Sequence, residues 1–216
     1  MSIPVIIIPI LNRFDLLQRN LNSIDYPVDN ILIINNAAEE FVPERTDLNI
    51  RILHMPSNQG VSGSWNLGIK SFPHLQYWMI SSADTYFKPG SLQRAEELSG
   101  SDKFVKSLAE YGCFTLGENI VKIVGLFDEY IYPAYYEDND YEDRMRLAGF
   151  SDNIEKEKID VYFEDGSQTI RSDANFMEKN YITFNRNGDY YMGKKATGDY
   201  TPKGWDLTRR RENEWL

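Results

Sequence analysis

Basic charge is scarce in this chain, cysteine is scarcer, and no apolar run reaches membrane-spanning length. With 23 Lys plus Arg against 33 Asp plus Glu, the formal net charge is −10. A surface that acidic repels a phosphate backbone, so general nucleic-acid binding is not expected. The single cysteine, Cys113, allows no internal disulfide and fits a reducing, cytoplasmic setting. The apolar stretch Ile3–Leu11 is too short to cross a bilayer, contains Pro4 and Pro9, and has no basic residue before it. It reads as neither signal peptide nor anchor, and no membrane insertion is expected. Two histidines, His54 and His74, offer no zinc-ligand spacing with the lone cysteine. No Gly-x-Gly-x-x-Gly follows the first apolar run and no P-loop lysine is present, which leaves dinucleotide binding and P-loop chemistry unsupported. An acidic protein that handles a phosphate ligand is expected to recruit a divalent cation to do so.

What is present has the rhythm of an α/β protein. The 216 residues favour one domain, and an apolar share of 42% with 26% charged residues is ordinary globular composition. Val5-Ile6-Ile7-Ile8 is a continuous β-branched run, the mark of a strand buried on both faces, and Pro9 ends it. A helix is predicted from Asp15, with Leu16, Leu17, Leu21 and Ile24 at helical spacing. Further strands are predicted at Ile31–Ile34, Ile50–Leu53 and Tyr77–Ile80. Helices are predicted over Asn66–Phe72, capped by Ser62 or Ser64, and after Pro89-Gly90-Ser91. Strands alternating with helices imply a mostly parallel sheet covered on both sides. Ligands bind such sheets beyond the carboxyl ends of the strands. Here those ends are Pro9–Arg13, Asn35-Asn36, Asn58–Gly63 and Ser82–Asp84. Beyond residue 100 a helix is predicted from about Asp140 to Leu147, and the Gly-rich stretch from Asn187 to Gly204 reads as a mobile loop. The chain closes on Arg209-Arg210-Arg211-Glu212-Asn213-Glu214-Trp215-Leu216, an abrupt stop that leaves room for further domains of a longer chain.

Two groups of carboxylates can carry chemistry. Asp84, just past a buried strand, can hold Mg²⁺ or Mn²⁺, which take one or two carboxylates plus phosphate oxygens. The ordinary structural reading, a turn or cap residue, is at least as good on local sequence. The second group is Glu137-Asp138-Asn139-Asp140 with Glu142 and Asp143. Crowded carboxylates raise one another's pKa, which suits a general base. Acids are also what a helix N-terminus favours, and Glu142 and Arg146 stand at the spacing of a surface ion pair. Neighbouring Tyr130, Tyr132, Tyr135, Tyr136 and Tyr141 suit a cleft for sugar rings, although tyrosines more often pack than bind.

Taken in order, four segments resemble the family 2-like inverting glycosyltransferases of the GT-A fold, in their rhamnosyltransferase-like subgroup. They are Val5–Arg13, Ile33–Asn36, Asn58–Gly68, and Val124–Glu129 continued by Tyr136–Tyr141 and Arg144. The look is also similar to glycosyltransferase domains of large algal DNA viruses. The resemblance implies one GT-A domain over 1–216: an α/β, Rossmann-like nucleotide-diphospho-sugar transferase with a mostly parallel central sheet flanked by helices. Its first hundred residues would bind the nucleotide sugar, and 101–216 would form the acceptor half and an extension. It implies an inverting transfer of a sugar from a nucleoside-diphosphate sugar, a UDP-sugar being favoured, to a hydroxyl of a glycan or glycoprotein. Pro9, Leu11, Asn12, Arg13, Asn35, Asn36, Gly60, Ser82, Ala83 and Asp84 would hold the donor, with Mn²⁺ or Mg²⁺ on Asp84. Asp138 would be the base, Glu137 and Asp140 the nearest alternatives. Gly125, Phe127, Asp128 and Glu129 would border the acceptor, Trp65 would pack beneath the site, and Lys194 and Lys195 would reach the diphosphate. Two departures stand out: Asn35 replaces the family's aspartate at the second strand end, and Ser82-Ala83-Asp84 keeps one carboxylate of the family's Asp-x-Asp. The eroded metal motif motivates an alternative, a non-catalytic module binding nucleotide or glycan on the same fold. A sugar-nucleotide pyrophosphorylase is a third reading, and the sequence lacks the Gly-rich basic loop it would need.

Overall fold

The structure, a computed structural model, describes residues 1–154, 158–163, 168–172 and 174–204. The tail Arg209–Leu216 noted above lies outside the described residues. In chain order the elements are β1 (Ile6–Ile10), α1 (Phe14–Asn22), β2 (Ile31–Asn35), β3 (Ile50–His54), α2 (Gly60–Ser71), β4 (Tyr77–Ser81), β5 (Thr85–Phe87) and α3 (Ser91–Leu98). The second half adds β6 (Phe104–Ser107), β7 (Glu110–Gly117), α4 (Glu118–Val124), α5 (Glu137–Leu147), α6 (Ser151–Ile154), β8 (Val161–Phe163), α7 (Gln168–Arg171) and α8 (Ala174–Thr197).

Six strands form one sheet in the order β3-β2-β1-β4-β7-β6. The pairs β1–β2, β2–β3 and β1–β4 are parallel, with Ile6 opposite Ile31 and Met79, while β4–β7 and β6–β7 are antiparallel. The continuous apolar runs are explained by burial on both faces. Ile6, Ile8, Ile31, Ile33 and Met79 belong to the core beneath α1 and α3. Val5, Ile7, Leu32, Ile34, Trp78 and Ile80 belong to the other core, with Trp65, Phe127 and Tyr141. The two-residue period of a strand sends neighbours to opposite sides. Gly68 lets α2 lie flush on the sheet, since a Cβ there would meet Ile7 Cγ2 at 2.4 Å.

The antiparallel pair β6–β7, which the alternating rhythm does not announce, extends the sheet past β4. The central sheet is therefore mostly parallel and mixed at one edge. β5 and β8 form a separate two-stranded sheet. Two helix predictions and one loop prediction are corrected. Helix α2 starts at Gly60 rather than after Ser62 or Ser64, because Asn58 Oδ1 accepts the Gly60 N–H at 2.8 Å and starts the turn earlier. Helix α5 starts at Glu137 rather than Asp140. The stretch read as a loop from Asn187 is helical to Thr197, within the 24-residue α8. Its glycines and asparagines weaken intrinsic helix propensity, and tertiary contacts override them. Among the described residues no helix is long and apolar enough to cross a membrane.

Candidate active site

A cleft of about 330 Å³ opens at the carboxyl ends of β1, β2 and β4. Pro9, Ile10 and Leu11 leave β1 into its wall, Asn36 follows β2, and Ser82-Ala83-Asp84 follow β4. Asn58, Gly60, Val61 and Trp65 come from the start of α2, Tyr111 and Gly112 from β7, and Pro133, Ala134, Tyr135 and Glu137 from the approach to α5. Thr169 and Ile170 of α7 and Asn180 and Thr183 of α8 complete the lining.

Several predicted donor residues thus converge: Pro9, Leu11, Asn36, Gly60, Ser82, Ala83 and Asp84. Gly60 adopts φ +71°, and a Cβ would lie 2.8 Å from Tyr132 and 2.9 Å from the Pro133 carbonyl. The close approach expected of it is therefore to the chain's own Tyr132–Pro133 segment, where the Val61 N–H donates to Pro133 O at 2.7 Å. Asn12, Arg13 and Asn35 are not in the lining. Asn12 Nδ2 donates to Thr169 O at 2.8 Å and Arg13 reaches Gln168 Oε1 at 3.4 Å, so both hold α7 over the strand ends. Arg13 also pairs with Asp15 at 2.7 Å. Asn35 is fully buried; its Oδ1 accepts the Ala37 N–H at 2.9 Å, and its Nδ2 donates to Glu39 O at 2.8 Å. Asn36 is half-buried and faces the cleft, with Oδ1 accepting the Gln59 N–H and Nδ2 donating to Ser64 Oγ.

The acidic segment divides in three. Glu137 lines the cleft, is 9% exposed, and its Oε2 has no hydrogen-bond partner. Burial, with the neighbouring Asp138 charge adding to it, pushes its carboxyl up to about 8, against hydrogen bonds from the Glu137 and Tyr135 backbone N–H groups. Asp138, the expected base, is absent from the lining and half-buried next in the chain to Glu137; burial raises its carboxyl, and its Oδ1 accepts the Asn139 N–H at 2.8 Å. Asp140 is fully buried and ion-paired with Arg144 at 2.9 Å and Lys194 at 2.5 Å.

The loop predicted to border the acceptor is built inward. Gly125, Phe127, Asp128 and Glu129 are absent from the lining. Phe127 stacks on Tyr141 with centroids 4.1 Å apart. Asn66 clasps this loop, donating to Phe127 O and Glu129 Oε1 and accepting the Phe127 N–H, all at 2.9 Å. Arg144 donates to Val124 O and Leu126 O, and Tyr141 OH donates to Gly125 O. Segments that stand apart as motifs in the sequence are therefore hydrogen-bond partners of one another. Lys194, expected to reach a diphosphate from a mobile loop, is instead 5% exposed on α8, where it bridges Asp128 and Asp140 at 2.5 Å each. Lys195 faces Asp143 at 3.8 Å. Trp65 packs under the cleft as expected, edge-on to Phe127 and Phe114. Cys113 is buried and its thiol is pushed up to about 12 by burial, too high for a nucleophile.

Asp84 is half-buried at the β4 end of the cleft. Among the described residues no cluster of three His, Cys, Asp or Glu side chains can hold a metal ion. One carboxylate beside this cleft fits a cation that arrives with a diphosphate, whose oxygens supply the remaining ligands. Sequence reasoning missed Tyr111, Asn180 and Thr183. They sit on an unannounced antiparallel strand and on the part of α8 before Asn187, for which no element is predicted, so no local pattern marked them.

Residues 5–105 match glycosyl transferase family 2. A galactofuranosyl glycosyltransferase of Leishmania donovani is 22% identical over 257 residues, covering 80% of this chain and 59% of that protein. The chain thus spans 59% of the length of the curated relative it matches. Among solved structures, Drosophila β1,4-galactosyltransferase 7 in complex with manganese, UDP-Gal and xylobiose superposes with a TM-score of 0.53 at 13% identity, over 79% of this chain and 74% of that one. Staphylococcus aureus TarS 1–349 in complex with UDP gives a TM-score of 0.52 at 14% identity, over 77% and 59%. At such identities the likeness is one of fold, the GT-A arrangement of a central sheet flanked by helices.

Proposed function

With a glycosyl transferase family 2 domain over residues 5–105 as the premise, we propose that this chain transfers a sugar from a nucleoside-diphosphate donor, UDP-linked, to a hydroxyl of a glycan or glycoprotein acceptor. One observation carries the reading: Asp84 and Glu137, from opposite halves of the chain, line one cleft at the carboxyl ends of the sheet. The structures of the two fold neighbours bound to UDP-Gal and to UDP support the choice of donor.

The reaction is a single displacement that inverts the anomeric carbon. The acceptor oxygen bonds to that carbon as the bond to the diphosphate oxygen breaks, and the acceptor proton passes to a carboxylate. Glu137 and Asp138 have environments suited to different roles. Glu137, nine-tenths buried with its carboxyl at about 8, holds a proton at neutral pH and donates a hydrogen bond to a sugar hydroxyl. Asp138 retains solvent contact and takes the acceptor proton. Asp140, closed between Arg144 and Lys194, takes no part in proton transfer. Pro9 and Leu11 flank the base, and Asn36, rather than Asn35, offers it a polar edge. A divalent cation, Mn²⁺ or Mg²⁺, when bound supplies Lewis-acid stabilisation of the charge growing on the leaving diphosphate, and Asp84 would hold it.

The test compares two variants in a transfer assay and in calorimetry with UDP and Mn²⁺. Asp138→Asn is expected to lower kcat by about 10²-fold or more while leaving UDP affinity unchanged. Asp84→Ala is expected to weaken UDP binding only when Mn²⁺ is present. Near-normal transfer by Asp138→Asn would remove it as the base. Glycan binding without any UDP binding would favour the non-catalytic module, the reading that the single metal-motif carboxylate keeps open.

A further inference from the structure

The acceptor half of the cleft contains a feature that neither the family match nor the motif residues include. Tyr135 lines the cleft, and its ring meets Phe184 of α8 edge-on with centroids 5.5 Å apart. Phe184 also packs against Tyr136 at 5.0 Å, yet it remains 44% exposed. Phe184 is thus a large ring held on one side by Tyr135 and Tyr136 and open to water on the other. Beside them the cleft wall carries polar atoms without partners: Glu137 Oε2, on a side chain nine-tenths buried, and Asn180 Oδ1. Buried polar atoms that lack a partner in the protein point to a ligand that supplies one.

We infer that Tyr135 and Phe184 form an aromatic platform for the acceptor's sugar ring, whose hydroxyls meet Glu137 and Asn180. A sugar offers the matching surface, C–H bonds on one face and hydroxyls around the edge. The formal net charge of −10 favours a neutral acceptor sugar over an anionic one. Asn187 fixes the platform by donating from α8 to Tyr132 O at 3.2 Å and Ala134 O at 2.7 Å, so the loop bearing Tyr135 and the helix bearing Phe184 are one unit. The platform deepens the transferase reading and rests on it for the identity of its ligand as an acceptor.

Saturation-transfer NMR on the whole chain tests it, with xylobiose, lactose and methyl β-D-galactofuranoside as probes and no nucleotide present. At least one probe is expected to receive saturation from the wild type. Phe184→Ala and Phe184→Leu are each expected to weaken that binding roughly two- to tenfold, the scale of one ring contact, whereas Phe184→Tyr restores it. The leucine variant keeps the apolar packing, so a loss shared by both substitutions at unchanged Tm reports the ring and not the fold. Equal saturation in wild type and Phe184→Leu, or none from any probe, overturns the platform. Calorimetry with UDP and Mn²⁺ on the same samples reads the donor site separately. UDP binding without sugar saturation sinks the platform alone, and sugar saturation without UDP binding sinks the transferase reading while the platform stands.

Discussion

Glu137 begins a helix, where the macrodipole favours a charged carboxylate. Burial nevertheless wins, and its carboxyl sits at about 8 against an ordinary value of 4.5. The folded protein therefore holds a proton there that the unfolded chain releases. Between pH 4.5 and about pH 8 the native state binds more protons than the unfolded state, so this group makes stability fall as pH rises through that window. Glu137→Gln keeps the shape and removes the ionisation. Its Tm advantage over the wild type is expected to be small at pH 5 and to widen steadily toward pH 8; parallel pH profiles would remove the buried, protonated carboxyl from the account. At this scale the sequence was legible in kind and not in detail. It marked the acidic run and the strand ends, but could not tell Asn35 from Asn36. One is fully buried and the next opens to the cleft, because the chain leaves β2 between them.

The strands β1, β2 and β4 were legible because each is a run of β-branched and apolar residues buried on both faces, and such runs have few alternatives. Helix α8 was not, because its pattern lies in polar contacts with distant parts of the chain. Its anchor is Lys194, which lies between Asp128 before α5 and Asp140 within it. Asp128 further accepts the Tyr190 hydroxyl and the N–H groups of Tyr130 and Lys203. Removing the cation leaves two buried carboxylates short of a partner. Lys194→Ala is expected to cost about 3–5 kcal/mol, the range for breaking a buried pair from one side. Urea unfolding measures it. The double variant Asp128→Asn with Lys194→Met should lose less than Lys194→Ala, since it removes charge of both signs. A Lys194→Ala midpoint close to wild type would show that α8 is held by its other contacts. Since α8 carries Asn180 and Thr183 into the cleft, the same variant should also blunt acceptor selectivity before it unfolds the sheet.

Across the whole molecule, the site depends on topology that no single segment contains. The parallel order β3-β2-β1-β4 brings the ends of β1, β2 and β4 to one edge, and the antiparallel β7 then delivers Tyr111 and Gly112 to the far side of Asp84. The chain after residue 124 folds back to bring Glu137 into the same cleft. Because Asp84 is the one carboxylate kept in the Ser82-Ala83-Asp84 segment, cation and nucleotide are expected to bind as a unit, each weakly alone. A ligand that binds only the native state raises its stability by RT ln(1 + [L]/Kd), about 2.7 kcal/mol at a hundredfold excess over Kd. For a chain of this length that corresponds to a rise in Tm of roughly 5–10 °C. UDP with Mn²⁺ is therefore expected to raise Tm by several degrees, and UDP or Mn²⁺ alone by much less. Asp84→Ala should reduce the joint effect to the sum of the separate ones. A full shift from UDP without a cation would mean that the cleft neutralises the diphosphate with its own residues. Asp84 would then be left without its proposed task.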